Sequence, residues 1–141
     1  MALQQVFSHK LADLYFDSEK SYFEERWKTE SEWATDEEFK SFQYEKIEVA
    51  KKYLPKLFLC DTRYLKYVIV PEMQEWLDKV VLNFWNTIGL EKCAFLISTD
   101  LFTQVSLEQA MTENAQKFIF RYFDDETQAL RWLIANDETK N

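Results

Sequence analysis

Leu57-Phe-Leu-Cys-Asp-Thr-Arg63 decides the fold of this chain, together with Pro71-Glu-Met-Gln-Glu-Trp-Leu77, which follows it after a short connection. The first segment is a continuous apolar run that ends in polar residues, as expected of a strand covered on both faces of a sheet. The second segment starts with a proline and continues with apolar residues at helical spacing. The two together predict a strand-to-helix crossover, the place where α/β domains usually carry a site.

The remaining sequence alternates between strand and helix patterns on either side of this crossover. Thr35 and Glu38 form a capping box before an amphipathic segment that Pro55 ends. Gly89, the single glycine, suits the left-handed residue after the helix that Pro71 opens. The predicted strands are residues 11–17, 22–28, 57–60, 93–97 and 118–123, and the predicted helices start near Thr35, Pro71, Ser106 and at Asp124 or Asp125.

This order predicts one α/β domain over residues 1–141, with an open, five-stranded, mostly parallel sheet covered by helices. The strand at residues 57–60 should lie in the middle of the sheet. The first two strands should form a hairpin at its exposed edge, where Glu24 and Glu25 are expected to be mostly solvated.

Charge and composition exclude several classes of partner. The 17 basic and 25 acidic residues give a net charge of −8 that is spread along the chain, which argues against nucleic acid or an anionic membrane as partner.

There is no apolar run of roughly 18 residues that would span a bilayer, and no secretory signal is visible. Cys60 and Cys93 lie in apolar runs, as buried thiols in a reducing compartment do. A cytoplasmic location is predicted.

The sequence contains no recognisable set of catalytic groups. A serine or cysteine nucleophile needs a base within reach, and the one histidine, His9, precedes the first predicted strand and is interpreted as a surface or edge residue. The spacing of His, Cys, Asp and Glu matches no metal-ligand frame, and one glycine cannot build a phosphate-binding loop. We therefore expect a protein without enzymatic activity, cofactor or metal.

Polar residues that follow the two central strands are the candidate contacts for a partner or ligand. They are Asp61, Thr62, Arg63 and Tyr64 after one strand, and Ser98, Thr99, Asp100 and Phe102 after the next. A purely structural alternative is open for both groups. Asp61 would cap the turn while Arg63 pairs with it or with another acid, and the Ser98–Asp100 segment would serve loop and capping chemistry.

Four segments resemble one family: the STAS-like (SpoIIAA-like) proteins, grouped with the sporulation anti-sigma-factor antagonists. The segments are Leu59-Cys-Asp-Thr-Arg63, Pro71-Glu-Met-Gln-Glu-Trp76, Cys93-Ala-Phe95 and Tyr122-Phe-Asp-Asp-Glu-Thr-Gln-Ala-Leu-Arg-Trp-Leu133. The resemblance covers roughly residues 10–135 and implies a βα superhelix, shared with the lipid-binding CRAL-TRIO fold, in a small domain without catalytic activity. The antagonists carry a phosphorylated serine at the start of the helix after the central strand. Val70-Pro-Glu-Met73 has no hydroxyl there, so the resemblance extends to the scaffold and not to the switch.

Two functions are compatible with this interpretation. The first is a regulatory domain that binds a protein partner, or a second copy of itself as a homodimer, through the crossover loops. The second is binding of a small apolar ligand in a CRAL-TRIO-like pocket, which requires a cavity of roughly 300 Å³ or more. The residues expected to line that cavity are Trp76, Phe84, Phe95 and Phe102.

Overall fold

Six strands form one open, mixed sheet whose spatial order follows the sequence. The structure is a computed structural model, and it describes residues 3–102 and 117–135. Strands β1 to β3 pair antiparallel, and β3 to β6 pair parallel to one another. The strands are β1 (Leu3–Ser8), β2 (Ala12–Asp17), β3 (Tyr22–Trp27), β4 (Leu57–Asp61), β5 (Lys92–Leu96) and β6 (Ile119–Phe123). The predicted α/β class is confirmed.

The predicted number of five strands is wrong, because β1 adds a sixth strand outside β2. Most of β1 is exposed, and its register shifts between Gln5 and Phe7. A bulged, exposed strand lacks the regular alternation that identifies strands in a sequence. As a consequence the hairpin β2–β3 is not at the edge. Glu24 and Glu25 of β3 are 3% and 1% exposed, so the expectation that they are solvated is also wrong.

Helices cover both faces of the sheet. They are α1 (Asp36–Tyr53), α2 (Pro71–Leu77), α3 (Asn83–Thr87) and α4 (Glu126–Ile134), with a 3₁₀ helix at Thr29–Trp33. The capping box is present as predicted, since Thr35 Oγ1 accepts from Glu38 N and Glu38 Oε1 accepts from Thr35 N. Of the two predicted caps of the last helix, Asp125 is the one that caps, through a bond from Gln128 N.

The helical segment after Pro71 contains a π-helical turn, Asp78–Leu82, between α2 and α3. We call residues 71–87 the covering helix. Its predicted start and end are confirmed, since Pro71 is its first residue and Gly89 has a φ of +85° just beyond it. The π-helical turn was not predicted, and it shifts the residues after it by about one position around the helix axis.

Side chains of the parallel strands alternate between two cores. Phe23, Phe58 and Cys93 point to the side of α1 and the covering helix, and belong to the larger core. Leu59 and Ala94 point to the other side, where α4 covers them with residues such as Ala129 and Leu133. Each fully buried aromatic side chain contributes on the order of 1.5–3 kcal/mol. The central strands are apolar on both faces because both faces are covered.

Two predicted segments lie outside the described residues: the short helix starting at Ser106 and the tail from Asn136 to Asn141. Within the described part of the chain, none of the helices has the length and apolar character needed to cross a membrane.

Candidate functional site

Asp61 and Arg63 lie at the carboxyl end of β4 and bind each other. Arg63 donates from its backbone N and from Nε to Asp61 Oδ1 (3.1 and 3.0 Å), and from Nη2 to Asp61 Oδ2 (2.9 Å). Asp61 is buried, so this charge-assisted contact is sheltered from water. The geometry matches the structural alternative that the sequence left open for these two residues.

Arg26, which the sequence-based prediction did not select, connects this pair to two further acids. It donates from Nη1 to Asp61 (2.8 Å), from Nη2 to Glu126 (2.6 Å) and from Nε to Glu24. Arg63 also reaches Glu126, at 3.2 Å. These five side chains form what we call the arginine–carboxylate network. It ties β3 and β4 to the first turn of α4, with two guanidinium groups facing three carboxylates.

The charges within the network reinforce one another. Burial disfavours the charge of Arg26, but hydrogen bonds and attraction to Glu126 and Glu24 raise its pKa above the ordinary value. The hydrogen bond to Asp61 raises the pKa of Arg63 in the same way. Burial, together with the nearby Glu24 carboxylate, raises the pKa of Tyr22. Each charged group already has a partner, so we assign the network to holding α4 on the sheet.

The loop after β4 is anchored at two points. The Tyr67 hydroxyl donates to Asp36 Oδ1, and its ring stacks on Phe39 with 4.3 Å between centroids. Burial and the Asp36 carboxylate raise the pKa of Tyr67 to about 12. Lys66 N donates to Ser31 Oγ at 2.8 Å. The loop is therefore fixed against α1 and the 3₁₀ helix.

The candidate residues of this loop have different surroundings. Thr62 Oγ1 donates to Leu96 O (3.1 Å), which holds the start of the loop against β5. Tyr64 projects from the loop and is 57% exposed. Neither side chain belongs to the arginine–carboxylate network.

The candidate residues after β5 begin a helical turn at residues 99–102. Ser98 Oγ accepts from Leu101 N (3.3 Å), which is the capping chemistry that the sequence left open. Thr99 and Asp100 are exposed, and Phe102 is half-buried. The eight candidate residues thus occupy one edge of the sheet without forming a single constellation.

A cavity of about 410 Å³ lies on the opposite face of the sheet from the network, against α1 and the covering helix. Gln74, Asp78 and Leu101 line it and are exposed, so it opens to solvent near the carboxyl ends of the strands. We call these three residues, with Thr62, Leu65 and Ile69 of the anchored loop, the rim. The aromatic residues in the described part of the lining are Trp27, Phe39, Phe58, Trp85, Phe95, Phe118 and Tyr122.

The predicted lining of this cavity was wrong in three of four positions. Phe95 lines it, whereas Trp76, Phe84 and Phe102 do not. In a regular α-helix, Phe84 would share the face of Leu77, seven residues earlier. The π-helical turn inserts about one extra residue, so Trp85 takes that place beside Leu77.

Three polar side chains, each at most 4% exposed, line the cavity among these apolar groups. Lys46 Nζ lies 2.8 Å from Glu25 Oε1, and the two side chains form a buried ion pair. Trp27 Nε1 and Cys60 Sγ both donate to Glu25 Oε2. Gln43 Oε1 has no hydrogen-bond partner among the described residues. The cavity therefore combines an apolar wall with a small polar region.

The two thiols of the cavity are poorly suited to nucleophilic chemistry. Burial, with the charge of Glu25, raises the pKa of Cys60 well above its ordinary value, and burial raises that of Cys93. His9 does not line the cavity; its Nδ1 accepts from Leu11 N (3.1 Å), and its ring lies 5.2 Å from that of Phe42. In residues 3–102 and 117–135 there is no group of three or more His, Cys, Asp or Glu arranged to hold a metal ion.

Comparison of the chain with protein-family models, with curated proteins and with solved structures finds no match. The resemblance to STAS-like proteins stays a prediction. The fold and the cavity define the protein only as a mixed α/β domain with a partly polar cavity that opens to solvent.

Proposed function

We propose that this protein binds a small, predominantly apolar ligand in the cavity between the sheet and the covering helix. The observation that carries the proposal is the volume of about 410 Å³, which lies within the range of roughly 300–1,000 Å³ typical of ligand sites. Its aromatic wall offers apolar contact, and its rim gives access from solvent.

The position of the cavity supports the same proposal. Four of the six rim residues, three in the anchored loop after β4 and Leu101 after β5, follow the carboxyl ends of parallel strands. Ligands of open α/β sheets usually bind at this edge. The π-helical turn also contributes lining residues, Asp78 and Leu82, and such turns occur frequently at functional sites.

The proposal describes binding rather than catalysis. Cys60 and Cys93 are the thiols of the described lining, and the raised pKa of each keeps it in the unreactive thiol form. Glu25 is held by Lys46 and Trp27, so it is already engaged in the protein's own contacts.

A cavity-filling substitution tests the proposal. Leu82→Trp adds an indole ring to a half-buried lining position and should weaken binding of 2-methylnaphthalene, an apolar probe, by at least tenfold in calorimetric titration. Val80→Trp is the matched control, since Val80 lies on the same π-helical turn but does not line the cavity. Thermal unfolding verifies that both variants are folded. No binding of the probe to the wild-type protein, or equal binding to both variants, would contradict the proposal.

A second candidate function is a protein contact through the crossover loop, as the sequence first suggested, with a second copy of the chain as one such partner. Tyr64, Val68 and Trp33 are 57%, 76% and 78% exposed, and the Lys66–Ser31 hydrogen bond joins the two segments that carry them. Exposed aromatic residues are enriched where proteins bind one another. Light scattering across a range of concentrations tests self-association. Tyr64→Ala should shift any dimer toward monomer, whereas Tyr44→Ala, an exposed tyrosine of α1, should not.

A further inference from the structure

We infer that Arg63 is a positioning residue for the proposed ligand site, because its side chain fixes the anchored loop that forms part of the rim. The inference rests on the proposed function. It concerns a residue that does not itself line the cavity, since its guanidinium belongs to the arginine–carboxylate network on the opposite face of the sheet.

The anchored loop, residues 62–70 between β4 and α2, supplies three of the six rim residues. They are Thr62, Leu65 and Ile69. The loop contains no helix or strand, so the positions of these side chains depend on the few hydrogen bonds that fix its backbone. A rim that is already ordered before binding spares the ligand the entropic cost of ordering it.

Two contacts fix the start of the loop. Thr62 N and Oγ1 both donate to Leu96 O, at 2.9 and 3.1 Å. The Arg63 guanidinium makes a bidentate contact with Asp61 and reaches Glu126, in the first turn of α4, at 3.2 Å. Bidentate, charge-assisted contacts of this kind restrict geometry more than a single neutral hydrogen bond does. Arg63 therefore joins the rim to a helix on the other side of the sheet.

Leu65 is the rim residue that depends most on this contact. It lies two residues after Arg63 and one residue before Lys66, whose N donates to Ser31 Oγ at 2.8 Å. Leu65 N donates to Thr62 O at 3.1 Å, which closes a turn around Arg63. Without the Arg63 side chain, the turn is fixed by backbone hydrogen bonds and by the contact of Lys66, and Leu65 gains freedom to move.

Arg26 provides the matched control. It donates to Asp61 and Glu126, the same two carboxylates, but it lies within β3 and has no place in the loop. Its loss should weaken the attachment of α4 without freeing the rim. If the network acts on stability alone, affinity for a ligand should follow stability. If Arg63 positions the rim, Arg63 should matter more for binding, although Arg26 matters more for stability.

Calorimetric titration of the full chain with 2-methylnaphthalene tests this difference. Arg63→Met should weaken binding about three- to tenfold, as expected for a few side chains that must be ordered again on binding. Arg63→Lys should weaken it less, since an ammonium still pairs with a carboxylate but cannot make the bidentate contact. Arg26→Met should bind the probe as the wild-type protein does. Thermal unfolding verifies that each variant is folded at the temperature of titration, and Arg63→Lys provides the test if Arg63→Met is not.

Hydrogen exchange followed by mass spectrometry gives a second readout, without ligand. Amides of residues 62–66 should exchange faster in Arg63→Met than in the wild-type protein, and at the wild-type rate in Arg26→Met. Wild-type affinity in Arg63→Met, unchanged exchange at these residues, or an equal loss of affinity in Arg26→Met would overturn the inference while leaving the proposed function intact. Failure of 2-methylnaphthalene to bind the wild-type protein would overturn the proposed function as well.

Discussion

Replacing Lys46 with methionine should destabilise this protein more than any change at an exposed lysine. Lys46 and Glu25 are 4% and 1% exposed, and their charged atoms lie 2.8 Å apart. Methionine fills a similar volume but leaves the Glu25 carboxylate buried without its cation. Breaking a buried ion pair in this way costs about 3–5 kcal/mol, a large part of the roughly 5–15 kcal/mol that stabilises a typical domain.

The expected loss is measured by urea unfolding, followed by circular dichroism and tryptophan fluorescence. At about 3 °C for each kcal/mol in a chain of this size, the midpoint of thermal unfolding should fall by about 9–15 °C. Lys51→Met is the control on the same helix, because Lys51 pairs with Glu48 at 3.1 Å but both side chains are exposed. An exposed pair of this kind contributes less than about 0.5 kcal/mol.

A second substitution separates the cost of an unpaired charge from the cost of a changed shape. In the variant that combines Lys46→Met with Glu25→Gln, the cavity contains no buried charge, and the new amide oxygen at position 25 still accepts from Trp27. Most of the lost stability should return. If Lys46→Met loses no more than Lys51→Met, or if the double variant is no more stable than the single one, the reasoning about burial is refuted.

Three further predictions follow from the hydrogen bonds and pKa directions. Arg26→Met should lower the free energy of urea unfolding by about 2–4 kcal/mol, whereas Arg63→Met should lower it by about 1 kcal/mol. The difference is expected because Arg26 also neutralises the buried Glu24. Equal losses in the two variants would show that Arg26 is not the central residue of the arginine–carboxylate network. Cys60 and Cys93 should react with dithiobis-nitrobenzoate on the order of 100-fold more slowly in the native protein than in urea, and equal rates would contradict their burial. The pKa of Tyr67 is raised to about 12, so the neutral phenol favours the folded state. Its contribution to the free energy of unfolding should be complete below pH 10 and lost as the pH rises toward 12. In chemical unfolding, Tyr67→Phe should therefore lose less stability than the wild-type protein between pH 10 and pH 12.

Local patterns in the sequence were sufficient for most of the helices and strands. The capping box at Thr35 and Glu38, the proline at residue 71 and the glycine at residue 89 act through neighbouring backbone groups, so their effects are visible without the fold. The strand β1 was missed because an exposed, bulged edge strand depends on its partner β2 rather than on a pattern of its own. The π-helical turn was missed because apolar spacing alone does not distinguish it from an α-helix.

The candidate site was only partly predictable. The sequence placed Asp61 and Arg63 at the edge of the sheet, but their partners Arg26 and Glu126 are 35 residues from Asp61 and 63 residues from Arg63. Contacts at such separations depend on which strands and helices become neighbours. The role of the two residues in the network follows from those contacts.

The sequence by itself determined the α/β class, the two apolar central strands and the polar residues at their carboxyl ends. It also contained a signal for the polar region of the cavity, since Glu25 interrupts an apolar strand face and Gln43 and Lys46 interrupt an apolar helix face. Only the tertiary structure decided that these three side chains line the same cavity and that Glu25 and Lys46 form an ion pair there. The ion pair joins a side chain of the sheet to a side chain of α1, and the cavity lies between the sheet and the helices. Both therefore depend on how closely α1 and the covering helix pack on the sheet.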